Sequence, residues 1–286
     1  CGKDAVAFDI ESIWELLEEQ LPLTQRAIAL FRQRFDPAHD MPDAEFEATL
    51  AAMRKEAAQR SETPNADVIL STLCDAVAAL RRTNYFVPGR FALAFRLDPR
   101  FMVEPPKRAD LPFGVFFVHG RGFNGFHVRF KEIARGGLRV VLPQSLAQYE
   151  RGNERLYDEV YGLASAQQQK NKDIPEGGAK GALVAEIPED IYKKGRVRPD
   201  DEEVVPIVRR CVKAFTDAIL DLITPEPRTR AMVRDRLGIE EFIYLGPDEN
   251  IQPEHIEWIV ARARRRGYPL ANAFMSSKPR AGLNHK

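Results

Sequence analysis

The chain has 286 residues, 44% hydrophobic and 29% charged, with a formal net charge of zero. That length and apolar share support a substantial core in one or two domains, and the charge balance argues against a chain built around nucleic acid. No stretch approaches the ~20 uninterrupted apolar residues that span a bilayer, and polar residues interrupt the start in a way a signal peptide does not show.

Apolar residues Ile10, Ile13, Trp14, Leu17 and Leu21 recur at helical spacing, so a helix is expected over 9–36, with Asp9 as its N-cap. Two more helices are expected over 42–60, with Pro42 in the first turn, and over 65–82. These make an all-helical segment, 1–84. The pattern changes at Thr83-Asn-Tyr-Phe-Val-Pro-Gly89, and strands are expected at 91–97, 113–118, 126–130 and 138–142. A long amphipathic helix over 146–170 leads to a strand at 182–187, a helix over 201–223, a strand at 241–245 and a helix over 253–266. Strand and helix alternate in this second part, 85–286, which predicts an α/β domain with a mixed, partly parallel sheet flanked by helices.

Cys1, Cys74 and Cys211 have neither metal-ligand nor disulfide spacing. Cys74 and Cys211 lie among apolar neighbours and read as small core residues, which fits a reducing, cytoplasmic setting. The chain begins with Cys1 and stops at Asn284-His-Lys286, and a fragment of something longer is expected.

Gly120-Arg-Gly-Phe-Asn-Gly125 matches the GxGxxG pattern of dinucleotide sites. Such a site needs a helix opening at the glycines, whereas Phe126-His-Val-Arg-Phe130 alternates like a strand, so a turn between strands is expected. Gly177-Gly-Ala-Lys180 lacks both the glycine spacing and the following Ser or Thr of a phosphate loop.

The most informative stretch is Lys170-Asn-Lys-Asp-Ile-Pro-Glu-Gly-Gly-Ala-Lys180-Gly181. Read as a tight glycine turn, it brings lysines together into a site that wants an anion; Lys172 reads as solvated. Arg135-Gly-Gly-Leu-Arg139 is a second glycine frame with cations on both sides, which alone reads as a strand-entry turn. Asp248, in Leu245-Gly-Pro-Asp-Glu-Asn250, follows a strand, where α/β sheets gather ligands, and is equally well read as a helix-entry turn residue.

Together these segments, with Leu163-Ala-Ser-Ala-Gln-Gln-Gln-Lys170, Phe95-Arg-Leu-Asp-Pro99 and Gly125-Phe-His-Val-Arg-Phe130, resemble the substrate domain of the glutamate dehydrogenases, relatives of the leucine, phenylalanine and valine dehydrogenases. The resemblance is greatest to the large NAD-specific class and covers roughly residues 80–286. It implies oxidative deamination of L-glutamate to 2-oxoglutarate and ammonia. It implies that Lys180 is the catalytic lysine, Lys170 the anchor of the substrate α-carboxylate, and Asp248 the proton-transfer acid. Arg135, with Gly136 and Gly137, would bind the distal carboxylate; many smaller enzymes have lysine at that position, and arginine can grip a carboxylate with two parallel bonds. The resemblance also implies NAD as cofactor, held mainly by a following Rossmann domain outside this chain. No cofactor-binding or metal-binding residue is therefore expected here, and the chain alone is expected to be inactive. A homo-oligomer is expected for the full-length protein. The alternatives are another amino-acid dehydrogenase, which the cation at Arg135 counts against, or a non-catalytic anion-binding or oligomerisation module, which the joint presence of Lys170, Lys180 and Asp248 counts against.

Overall fold

A computed structural model describes residues 10–61, 63–102, 110–170 and 176–276. Its internal contacts separate two units, Cys1–Leu80 and Arg81–Lys286.

The first unit is helical: α1 (Ile10–Glu19), α2 (Leu21–Phe35), α3 (Asp43–Arg60) and α4 (Pro64–Ala79). Leu23, Leu30, Leu50, Met53, Leu70 and Cys74 form its core. The single helix expected over 9–36 is broken at Gln20, whose ψ of 33° leaves the helical range. Pro22 accounts for the break, because proline fits the first turn of α2 but would clash with a carbonyl inside a continuous helix. α1 buries no residue, and Trp14 is 62% exposed, so the apolar spacing there does not mark a core face. The helix expected to reach residue 82 stops at Ala79, and the chain turns extended. Thr63 starts that helix, its hydroxyl accepting from the Ala66 amide at 3.1 Å.

In the second unit β1 (Leu80–Thr83), β2 (Ala92–Leu97), α5 (Pro99–Met102), β3 (Gly114–Gly120), β4 (Phe123–Arg129) and β5 (Ala134–Val141) precede the long helix α6 (Leu146–Gln169). Then come β6 (Gly177–Ala185), α7 (Glu189–Lys193), α8 (Val204–Ile223), α9 (Pro227–Arg230), β7 (Tyr244–Pro247) and α10 (Pro253–Arg265). Among the described residues the strands form one sheet in the order β1-β2-β3-β4-β6-β5-β7. β2, β3, β4 and β6 run antiparallel in turn, while β5 lies parallel to both β6 and β7. The expected mixed, partly parallel sheet flanked by helices is what forms.

Two expectations change. The Arg135-Gly-Gly frame is not a strand-entry turn but lies inside β5, and β6 begins at Gly177 rather than at residue 182.

Strand alternation gives the sheet two different faces. On one, α6 packs against Gly178 and Val184. On the other, α8 and α10 cover Phe116, Leu138, Val140 and Leu183, the centre of the larger core. That second face also encloses a charge cluster. Glu241 receives Arg96 at 2.9 Å and Arg82 at 3.2 Å, and it pairs with Arg129. All four side chains are buried. Spare guanidinium N–H groups go to main-chain carbonyls, Arg129 to Phe242 at 2.7 Å and Arg96 to Phe113 at 2.9 Å, so the buried donors are largely satisfied.

Candidate active site

The site rests on glycines that let backbones touch. A side chain at Gly178 would put its Cβ 2.2 Å from the Gln168 amide nitrogen and 2.3 Å from the Ala164 carbonyl oxygen. At Gly136 a Cβ would lie 1.6 Å from the Ala179 carbonyl oxygen of β6. Both clashes are with main chain, which cannot swing aside, so only glycine fits. The Gly-Gly-Ala-Lys segment is therefore straight strand pressed between α6 and β5, not the tight turn its composition predicts.

That strand carries Lys180 into the middle of the sheet. Lys180 lies opposite Val128 of β4, on the α6 face by alternation, and is only 5% exposed. An ammonium so enclosed needs a partner, and β7 supplies one. Beyond Pro247 the chain continues alongside β5: the Asp248 amide donates to Leu138 at 3.0 Å, and Val140 donates to Glu249 at 3.0 Å. Asn250 then adopts a left-handed φ of 62°, held by its side-chain amide on the Val140 carbonyl at 2.7 Å. These bonds set the Asp248 carboxylate against the Lys180 ammonium in a direct ion pair.

Gly137 forms the floor of this pair, since a Cβ there would lie 2.8 Å from Cβ of Asp248. Arg139, two residues on along the same face, donates to the same Asp248 oxygen at 3.2 Å and reaches Glu159 of α6 at 3.3 Å. Burial pushes the Asp248 carboxyl upward. The hydrogen bond and charge of Lys180, the Glu249 amide and the charge of Arg139 outweigh it, and the group sits below its ordinary value of 3.8. Asp248 is thus held ionised between two cations, with about a third of its side chain open to solvent (30%).

The structure brings together Lys180, Asp248 and Gly137. It does not join Lys170 or Arg135 to them by any contact among the described residues. Lys170 is the exposed C-cap of α6, two residues beyond the helix turn that touches Gly178. Arg135 points from β5 toward solvent and pairs with Glu176 at 3.3 Å. Lys172 lies outside the described residues. Arg139 and Glu159 are the members that residue-by-residue reading passes over. Arg139 was visible only as the outer cation of a glycine frame, and Glu159 as one of several acids on an amphipathic helix.

A family model for the bacterial NAD-glutamate dehydrogenase catalytic domain matches residues 54–236. The chain belongs to this family. Among its relatives, the NAD-specific glutamate dehydrogenase of Neurospora crassa is 41% identical over 209 residues, covering 71% of this chain and 18% of that protein. The enzyme of the same name from Saccharomyces cerevisiae is 36% identical over 211 residues, covering 74% of this chain and 18% of its own length. The Mycobacterium tuberculosis protein is 31% identical over 294 residues, covering 96% of this chain and 17% of itself. The chain thus spans less than a fifth of the length of each of these relatives.

For a member of an NAD-glutamate dehydrogenase family, the fit of these residues to a dinucleotide matters. The GxGxxG stretch closes the β3–β4 hairpin: Gly120 pairs with Phe123, and Gly122, at the second central position of the turn, takes a left-handed φ of 81° that glycine adopts without strain. No helix opens there, so the pyrophosphate would meet no helix N-terminus, and among the described residues this motif does not fit a dinucleotide. Nor is there a group of His, Cys, Asp or Glu able to hold a metal ion among them. No described helix is long and apolar enough to cross a membrane.

Proposed function

We propose that this chain is the substrate-binding and catalytic part of an NAD-dependent glutamate dehydrogenase that oxidatively deaminates L-glutamate to 2-oxoglutarate and ammonia. The observation that carries the reading is the Lys180–Asp248 pair packed over Gly137, with the lysine enclosed and the carboxylate partly open to solvent. NAD is the oxidant of the overall reaction, and its binding is assigned to a part of the protein other than these residues.

What the chain's own residues do is bind anions and move protons. Lys180 and Asp248 are in direct contact, so a proton can pass between Nζ and the carboxylate within one hydrogen bond. Once its own proton has left through Asp248, Lys180 takes a proton from the water that attacks the imine carbon and returns it as the amine departs. Asp248, kept ionised by Lys180 and Arg139, accepts a proton from the substrate amino group and gives it back to the leaving ammonia. Lys170 at the end of α6 anchors the α-carboxylate. Arg135 binds the distal carboxylate, which takes the place of Glu176 as its partner. A homo-oligomeric, cytoplasmic enzyme completes the proposal.

The test is Lys180→Ala in a full-length protein carrying this chain. Glutamate-dependent NAD reduction should fall about a thousandfold, within the usual range for loss of a general acid–base, with thermal unfolding little changed. Activity that survives the substitution sinks the reading.

A further inference from the structure

Tyr244 takes no part in the proton chemistry, yet the fold sets it at the end of the amino-acid site. Its neighbours along β7, Ile243 and Leu245, are buried in the core beneath α8 and α10. Alternation therefore puts Tyr244, Gly246 and Asp248 on the opposite face, the one that carries Lys180. The parallel register places Tyr244 beside Arg135 of β5, and Gly246 beside Gly137.

Rows of residues thus cross the two strands on this face. In the first, Arg135 stands next to Tyr244. In the second, Gly137 and Gly246 carry no side chain. Asp248 leans over Gly137, while a Cβ at Gly246 would first meet the Ser276 hydroxyl at 3.3 Å. In the third, Arg139 donates to Asp248 at 3.2 Å, and Lys180 shares the same carboxylate oxygen. Successive rows are two residues apart, about 6–7 Å along a strand. An amino acid whose reacting centre lies at Lys180 and Asp248 can extend its side chain over Gly246. A carboxylate two methylenes out then ends at the first row.

A cation and a hydroxyl meet it there. Arg135 is held only by the carboxylate of Glu176 among the printed ion pairs, at 3.3 Å and with about half of the arginine side chain (47%) in solvent, so a substrate can displace that contact. Tyr244 is half-buried, and its hydroxyl makes no hydrogen bond among the described residues. A phenol that merely covers an edge strand needs no cation beside it. One placed in register with an arginine, at the end of a glycine row, has the donor and the position to grip a carboxylate oxygen.

We propose that Tyr244 is a specificity-determining residue of the amino-acid site, its hydroxyl donating to one oxygen of the distal carboxylate while Arg135 holds the other. The proposal rests on the glutamate reading above. It predicts discrimination against amino acids of equal length without the second carboxylate, because an apolar end group leaves both donors unpaired.

The experiment compares glutamate with norvaline, in which a methyl group replaces that carboxylate, in the full-length protein. Norvaline is followed as a substrate or as a competitive inhibitor. Tyr244→Phe removes the hydroxyl and keeps the ring. The KM for glutamate should rise about tenfold, the effect of losing one hydrogen bond to a charged group. kcat should stay within about twofold, and the norvaline constants and the melting temperature should not move. An unchanged preference for glutamate over norvaline overturns the proposal. So does an equal loss on both, which is what a role confined to packing would give.

Lys180→Ala keeps the two claims apart. If it abolishes turnover while Tyr244→Phe leaves the preference unchanged, the dehydrogenase reading stands and this proposal falls. If activity survives Lys180→Ala, that reading falls, and Tyr244 is judged on glutarate binding measured by calorimetry. Glutarate affinity should weaken about tenfold in Tyr244→Phe, and an unchanged affinity overturns the proposal.

Discussion

Opposite faces of one sheet carry two clusters of charge, around Glu241 and around Asp248, and each holds a carboxylate among cations. Around Glu241 the side chains are sealed: Arg82, Arg96 and Arg129 are buried, Arg82 also pairs with Asp235, and Arg96 and Arg129 donate to main-chain carbonyls, with Arg129 Nε alone of the cluster's guanidinium nitrogens lacking a partner among the described residues. Around Asp248 the same ingredients are left open. The carboxylate keeps part of its surface in solvent, it fills the space a side chain at Gly137 would take, and Arg139 and Lys180 share one of its oxygens. Burial with nearly complete satisfaction makes a rigid structural joint, while burial with one side open to solvent makes a place for chemistry. The sealed cluster should therefore govern stability and the open one turnover.

The strongest challenge to that division is Glu241→Ala, which leaves the three buried guanidiniums with one carboxylate partner among the described residues, Asp235, paired to Arg82 at 2.7 Å. Unfolding in denaturant should show a loss of about 3–5 kcal/mol; a loss below about 1 kcal/mol would mean the cluster is not the joint described. On the open side, Gly137→Ala should push Asp248 away from Lys180. We expect kcat in the full-length protein to fall about a hundredfold with little change in melting, and equal loss of both would merge the two clusters into one role.

A subtler probe of the sealed face is His127, wholly buried between Phe116 and Arg129, with neither ring nitrogen hydrogen-bonded. Burial, and then the charge of Arg129, lowers it from 6.5 to about 3. The unfolded chain takes up that proton first, so stability is full above pH 6.5 and declines as pH falls toward 3. The decline attributable to this group should approach about 1.4 kcal/mol per pH unit, and His127→Leu should remove it. If the variant keeps the same pH slope, His127 is not responsible.

The smallest effect belongs to Asp248. Its lowered carboxyl contributes stability that is present above 3.8 and fades as pH falls below it. Acid titration of Asp248→Asn should lack that limb, and an unchanged acid limb would mean that the pair with Lys180 does not contribute to folding.

The sequence made much of this legible. Apolar periodicity located α3, α6, α8 and α10 to within a few residues, and the alternation after Gly125 exposed the GxGxxG stretch as a hairpin. The two residues at the centre of the site were readable too, through motifs whose order matched a family. What escaped was set by distance along the chain. Gly177 and Gly178 resemble a turn because glycine is depleted in strands; what leaves them no room for side chains is the α6 backbone at Gly178 and Lys131 at Gly177, which no local window contains. Arg82, Arg96, Arg129 and Glu241 each look like surface charges on or beside alternating strands, and only the folded sheet reveals that they meet. The break at Gln20 was locally visible in Pro22, but the regular apolar spacing around it suggested continuity.

The contact at Gly178 has a mechanical meaning. With α6 main chain against β6 main chain, and the Gly178 amide donating to the Gln168 side chain at 2.7 Å, the end of the helix and the strand behave as a single lever. Lys170 lies two residues beyond one side of that fulcrum and Lys180 two residues beyond the other. The gap between the residue proposed to hold a carboxylate and the residue proposed to act on the carbon beside it is thus gauged by backbone thickness rather than by the reach of flexible side chains. A larger residue at Gly178 would reset the gauge, and with it the size of amino acid that fits between the two lysines.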